Sequence, residues 1–154
     1  DLANFAVGLE HTSIHALHLA MIGDMIANGG LMVTPTMQTA RRSILGDRVA
    51  GRPPAESTRV VSAAAAARMA QAMRAVIAMP HGTGHRAAIE GLDYAIKTGT
   101  AGERPYEALI VGFAPAVNPK IAFGLVAHDS GPAEIAGARM IRDFLIRIRD
   151  RLSP

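Results

Sequence analysis

The chain has 154 residues, 49% of them hydrophobic and 19% charged, and no cysteine. That supplies a core for one domain or part of one, and excludes a disordered chain, a disulfide scaffold and a thiolate metal site. The basic residues are almost all arginine, since Lys97 and Lys120 are the only lysines; the arginines are scattered, except for a run on the last helix, without interleaved aromatics, which argues against a nucleic-acid partner.

In chain order, Leu17, Met21 and Met25, with Ala20 and Ile22, recur at helical spacing. Asn28-Gly29-Gly30 ends that helix, because Asn and Gly tolerate the left-handed backbone of a helix C-terminus. Leu31-Met32-Val33 is a short extended stretch. Residues 38–60 are polar and Arg-rich and read as surface loop with a short strand pair. Ser62 is placed to cap a helix running through Ala63–Ala67 to Met79, with Met69, Met73, Val76 and Ile77 on one apolar face. Pro80 stops it, and His81-Gly82-Thr83-Gly84-His85 reads as a flexible loop.

Three strands are predicted next, at Asp93–Thr100, Glu107–Phe113 and Lys120–His128, joined by short loops and therefore antiparallel. The last two are apolar on both faces and require cover on both sides. A final helix is predicted from about Ala133 to Leu152, with a stripe of Ile141, Phe144, Leu145, Ile148 and Leu152. The expected fold class is α/β of the α+β type, helices packed on a small antiparallel sheet. No run of about 18 uncharged apolar residues occurs, so no membrane-spanning helix is expected.

Lys97-Thr98-Gly99-Thr100 closes the first of these strands. The tetrapeptide alone could equally be a strand end with a turn glycine; its surroundings decide the reading. Gly8-Leu9-Glu10, Ala16-Leu17-His18-Leu19-Ala20 and Ile26-Ala27-Asn28-Gly29-Gly30 precede it, then Pro35, the helix from Ser62 and Gly82-Thr83-Gly84. Val111-Gly112-Phe113-Ala114-Pro115 and the strand from Lys120 follow. In order and spacing, over nearly the whole chain, these resemble the C-terminal part of the serine D,D-transpeptidase domain of penicillin-binding proteins. Serine β-lactamases share the Lys-Thr-Gly motif, but the Ala-Asn-Gly-Gly turn and the Gly-Phe-Ala-Pro strand favour transpeptidases. The sequence departs from the family at Leu9 and Glu10, at His15-Ala16 where Thr-Pro is usual, and at Leu109-Ile110 where Trp-Phe is common.

The resemblance implies a β-lactamase/transpeptidase-like fold and a peptidoglycan D,D-transpeptidase that cross-links cell-wall peptides and binds penicillin. Lys97 would be the catalytic cation, aiding proton movement near the serine. Thr98, Gly99 and Thr100 would bind substrate, a peptide ending in D-Ala-D-Ala, with hydroxyls for its carboxylate and the Thr100 N–H as half of an oxyanion hole. No metal or organic cofactor is implied. The implied partners are the peptidoglycan stem peptide and β-lactams, and the implied location is the outer face of the cytoplasmic membrane.

The family's nucleophile sits in a Ser-x-x-Lys pair. None of Ser13, Ser43, Ser57, Ser62, Ser130 or Ser153 has a lysine three residues on, and Ser-x-Asn is also absent. The chain opens at Asp1 as though inside a longer protein, so it is expected to be the C-terminal portion of the domain, inactive by itself, with surfaces exposed for self-association. The alternative, from another class, is a non-catalytic peptide- or partner-binding module on the same fold. His11, His15 and His18 have ligand-like spacing but read as a polar helix start. His81 and His85 flank a loop too poor in glycine for a phosphate cradle.

Overall fold

The computed structural model describes residues 2–3, 13–51 and 55–152. Helix α1 spans Ala16–Ala27 and is followed by β1 (Leu31–Val33), β2 (Arg41–Arg42), β3 (Arg48–Ala50) and β4 (Ser57–Arg59). Helix α2 spans Ala63–Ala78 and leads through a 3-10 turn at His85–Ala87 to β5 (Ala95–Ala101), β6 (Glu107–Ala114) and β7 (Ile121–Ala127). The C-terminal helical segment is a π-turn at Ala133–Gly137, α3 (Ala138–Arg147) and α4 (Arg149–Leu152).

The β5–β6–β7 sheet is antiparallel throughout, with Thr98 opposite Ile110 and Ile110 opposite Leu125. The Arg-rich stretch holds the expected short antiparallel pair, β2 with β3, and also β4, which pairs antiparallel with β1 upstream of it. Alternation along the strands gives the sheet two covered faces. On one, Met25 and Ile26 of α1 and Met73 of α2 pack with Ala95 and Phe113. On the other, Ile96 and Ile110 pack with Ala138, Ile141 and Leu145 of α3.

Local signals explain the element ends. Ser62 Oγ accepts from the Ala65 N–H at 3.2 Å, the expected cap of α2. His15 plays the same part for α1, its Nδ1 accepting from the His18 N–H at 3.2 Å. Gly29 and Gly30 have φ of 62° and 93°, the left-handed turn that the Asn-Gly-Gly sequence anticipates.

Three expectations need correction. Leu17 and Met69 are exposed. Met25, Met73 and Ile77 are buried as expected, and the faces of α1 and α2 are completed by Leu19, Gly23 and Ile26 and by Ala66. Small residues bring the backbones together here: a Cβ at Gly124 of β7 would lie 2.2 Å from the Ala16 carbonyl oxygen of α1. The C-terminal helix is not continuous, since it opens as a π-turn and breaks at Ile148. Phe144 is 42% exposed, its ring meeting Phe123 edge-on with centroids 6.2 Å apart. Gly8, Leu9, Glu10 and His11 lie outside the described residues.

Candidate active site

Lys97, Thr98, Gly99 and Thr100 lie within β5, and among the described residues β5 pairs on one side only, with β6. The tetrapeptide thus occupies a sheet border. In an antiparallel strand the N–H and C=O of one residue point the same way and alternate from residue to residue. Lys97 Nζ donates to the Thr98 carbonyl, and the Ala116 N–H donates to the Asp93 carbonyl from the β6 side at 2.8 Å. The main-chain polar groups of Thr98 and Thr100 therefore face the open edge, and those of Lys97 and Gly99 turn toward β6.

The side chains alternate as well. Ile96, Thr98 and Thr100 face the side of the C-terminal helix, while Lys97 and Gly99 face the side of α1 and α2. Lys97, Gly99 and Thr100 are exposed, whereas Thr98 is only 7% exposed. Thr100 Oγ1 accepts from the Ala133 N–H at 3.0 Å. A hydroxyl carries one proton and two lone pairs, so accepting this bond leaves the Thr100 proton available to an anion. Thr98 Oγ1 lies 2.6 Å from Thr83 Oγ1. At Gly99 a Cβ would make only ordinary contact, 3.7 Å from Leu109 Cβ. Among the described residues nothing demands glycine there.

The supports of the edge come from α2 and the core. Arg74 on α2 grips Asp93, just before β5, through Nε to Oδ1 at 3.1 Å and through Nη2 to Oδ2. Tyr94 is buried beneath the strand and donates its hydroxyl to the Ala87 carbonyl. Burial pushes its hydroxyl up to about 12, with Arg142 pulling weakly the other way, so Tyr94 stays protonated and is not a base. Sequence reasoning quoted Thr83 only as part of a loop and Ala133 only as the start of a helix, and assigned neither a contact with the tetrapeptide. His15, His18, His128 and Glu107 border one recess on the α1 side, where Glu107 Oε1 lies 2.7 Å from His128 Nδ1. Among the described residues no group of three or more His, Asp or Glu is arranged to hold a metal ion.

The family model described as the penicillin-binding protein transpeptidase domain matches residues 1–143. The chain belongs to the penicillin-binding protein transpeptidase family. Within this transpeptidase family, the peptidoglycan D,D-transpeptidase PbpA of Mycolicibacterium smegmatis is 28% identical over 132 residues, covering 82% of this chain and 26% of that protein. Among solved structures, the D,D-transpeptidase domain of a peptidoglycan glycosyltransferase from Eggerthella lenta is 29% identical with a TM-score of 0.75. That match covers 86% of this chain and 31% of that one. Penicillin-binding protein A of Mycobacterium tuberculosis, solved as its imipenem acyl-enzyme complex, has a TM-score of 0.78 at 24% identity, a likeness of fold. It is matched over 93% of this chain and 33% of its own. The chain thus spans about a quarter of the curated relative and about a third of the solved ones.

Proposed function

We propose that residues 1–154 are the C-terminal portion of a peptidoglycan D,D-transpeptidase that cross-links cell-wall peptides by serine acyl transfer and is acylated by penicillin. The supporting observation is the β5 border: a lysine, two threonine hydroxyls and the outward-facing main chain of Thr98 and Thr100 are gathered on one open strand edge.

An extended peptide adds to such an edge through main-chain hydrogen bonds. The Thr98 and Thr100 hydroxyls receive the terminal carboxylate, and Gly99 admits close approach of the ligand backbone. The Thr100 N–H supplies half of an oxyanion hole at the attacked carbonyl. Lys97 is the cation that draws the anionic substrate and assists proton movement at the serine. The attacking serine belongs to a Ser-x-x-Lys pair that these 154 residues do not contain. Peptidoglycan lies outside the cytoplasmic membrane, which places the site on that membrane's outer face. Among the described residues no helix is long and apolar enough to cross a membrane.

The test is labelling of the full-length protein with a fluorescent penicillin, followed by peptide mapping. Labelling at the serine of a Ser-x-x-Lys pair upstream of Asp1, abolished or cut at least about a hundredfold by Lys97→Ala, is the expected result. A full-length protein with no Ser-x-x-Lys and no label would make this a non-catalytic peptide-binding module on the same fold.

A further inference from the structure

Thr83 stands fifteen positions before Thr98, in a Gly-Thr-Gly loop to which the sequence assigns no side-chain role. The structure gives it a fixed place. The Gly82 N–H donates to the Met79 carbonyl at 2.9 Å and the Gly84 N–H to the Val76 carbonyl at 3.1 Å. The His85 N–H closes back on the Gly82 carbonyl at 3.0 Å, and His85 Nδ1 lies 3.0 Å from the Ile77 carbonyl oxygen. A Cβ at Gly82 would stand 2.1 Å from the Val76 carbonyl oxygen, and one at Gly84 would stand 2.7 Å from Ile96 Cδ1. Gly82 is therefore required for the loop to press this closely against the end of α2, while a side chain at Gly84 would have to displace the tip of Ile96 on β5. What that closeness delivers is one contact, Thr83 Oγ1 to Thr98 Oγ1 at 2.6 Å.

We propose that Thr83 is a positioning residue for the transpeptidase site, holding the Thr98 side chain in the rotamer that presents its hydroxyl, rather than its methyl group, to the substrate carboxylate. This rests on the function proposed above. Threonine is stiff at χ1, and its rotamer decides which of two similar-sized groups faces a ligand. A hydrogen bond at 2.6 Å fixes that choice. One of the two hydroxyl protons is used between the threonines, and the other remains for the anion. Removing the Thr83 hydroxyl takes away both the rotamer constraint and half of this two-hydroxyl relay.

The experiment uses the full-length protein and a pair of ligands, penicillin G and its methyl ester, which lacks the carboxylate. Thr83→Val, nearly isosteric, should lower the second-order acylation constant for penicillin G about tenfold. The loss should appear in the binding constant, with the acylation rate constant little changed. Thr83→Ser should restore it to within about twofold, and the ester should react alike with wild type and T83V. An equal loss on acid and ester, or none on either, would overturn the positioning role while leaving the transpeptidase reading intact. A wild-type protein that no penicillin acylates would overturn both. Unfolding midpoints accompany each variant, and Thr83→Ala takes the place of T83V if the valine variant does not fold.

Discussion

The Ala133 backbone N–H donates to Thr100 Oγ1 across 3.0 Å, so the last residue of the Lys-Thr-Gly-Thr tetrapeptide also caps the segment that opens the C-terminal helix. Ala133 is only 1% exposed, so no water replaces that acceptor. Thr100→Val should therefore cost about 1–2 kcal/mol of stability, read by chemical denaturation, and should also weaken penicillin acylation of the full-length protein. Thr100→Ser keeps the oxygen and should lose little of either. A valine variant of unchanged stability would show that the cap is not formed.

Two glycines, one in β5 and one in β7, should separate binding from folding. Gly124→Ala places a methyl group 2.2 Å from the Ala16 carbonyl oxygen and 2.7 Å from Leu19 Cβ, and is expected to cost about 1–3 kcal/mol. Gly99→Ala meets only ordinary contact among the described residues and should change stability by less than about 0.5 kcal/mol. Its effect should fall on acylation by penicillin, at least about tenfold. Thermal melts and labelling rates on the same two variants decide the matter. A Gly99→Ala protein that labels normally would count against a ligand lying along this edge.

Tyr94 should shape the alkaline limb of stability. Its hydroxyl is held protonated up to about 12, against 10.0 ordinarily. Below about pH 10 both folded and unfolded chains carry the neutral phenol, and the group adds no pH dependence. Between 10 and 12 the unfolded chain ionises while the folded one does not, so stability falls, by about 2–3 kcal/mol over that window. Tyr94→Phe should be less stable at neutral pH, having lost the bond to the Ala87 carbonyl, and should fall less steeply between pH 10 and 12. Urea titrations at several pH values measure both effects.

The 154-residue chain by itself should not form a covalent adduct with penicillin, because none of its serines stands three residues before a lysine. Intact-mass spectrometry after incubation with excess penicillin reads this directly. An adduct on Ser13, Ser62 or any other serine of the chain would refute it.

Much of this arrangement was legible from residue order. Ser62 before an Ala run announced α2, and Asn28-Gly29-Gly30 announced the end of α1. The apolar runs gave β6 and β7 to within a residue or two. Helix faces were harder. Leu17 and Met69 are hydrophobic at plausible spacing, yet contact went to Gly23 and Ala66, because small residues let a helix approach the sheet and hydrophobicity does not register them. The π-turn at Ala133–Gly137 left no signal, since its residues suit an ordinary helix. Of the site, the Lys97–Thr100 tetrapeptide was visible as a strand end, which is a local property. Thr83 was not, because its partner is fifteen positions away and only the folded path of the loop brings the two hydroxyls together.

The alternation along β5 makes the strand intolerant of any change in length. Insertion or deletion of a single residue between Tyr94 and Lys97 would exchange inside for outside at each position that follows. The peptide groups now presented to solvent would be consumed by the neighbouring strand, and the two hydroxyls would swing to the opposite side of the sheet. Chains related to this one should therefore accept substitutions in this stretch far more readily than indels, and gain or lose residues in the turn beyond Ala101 instead.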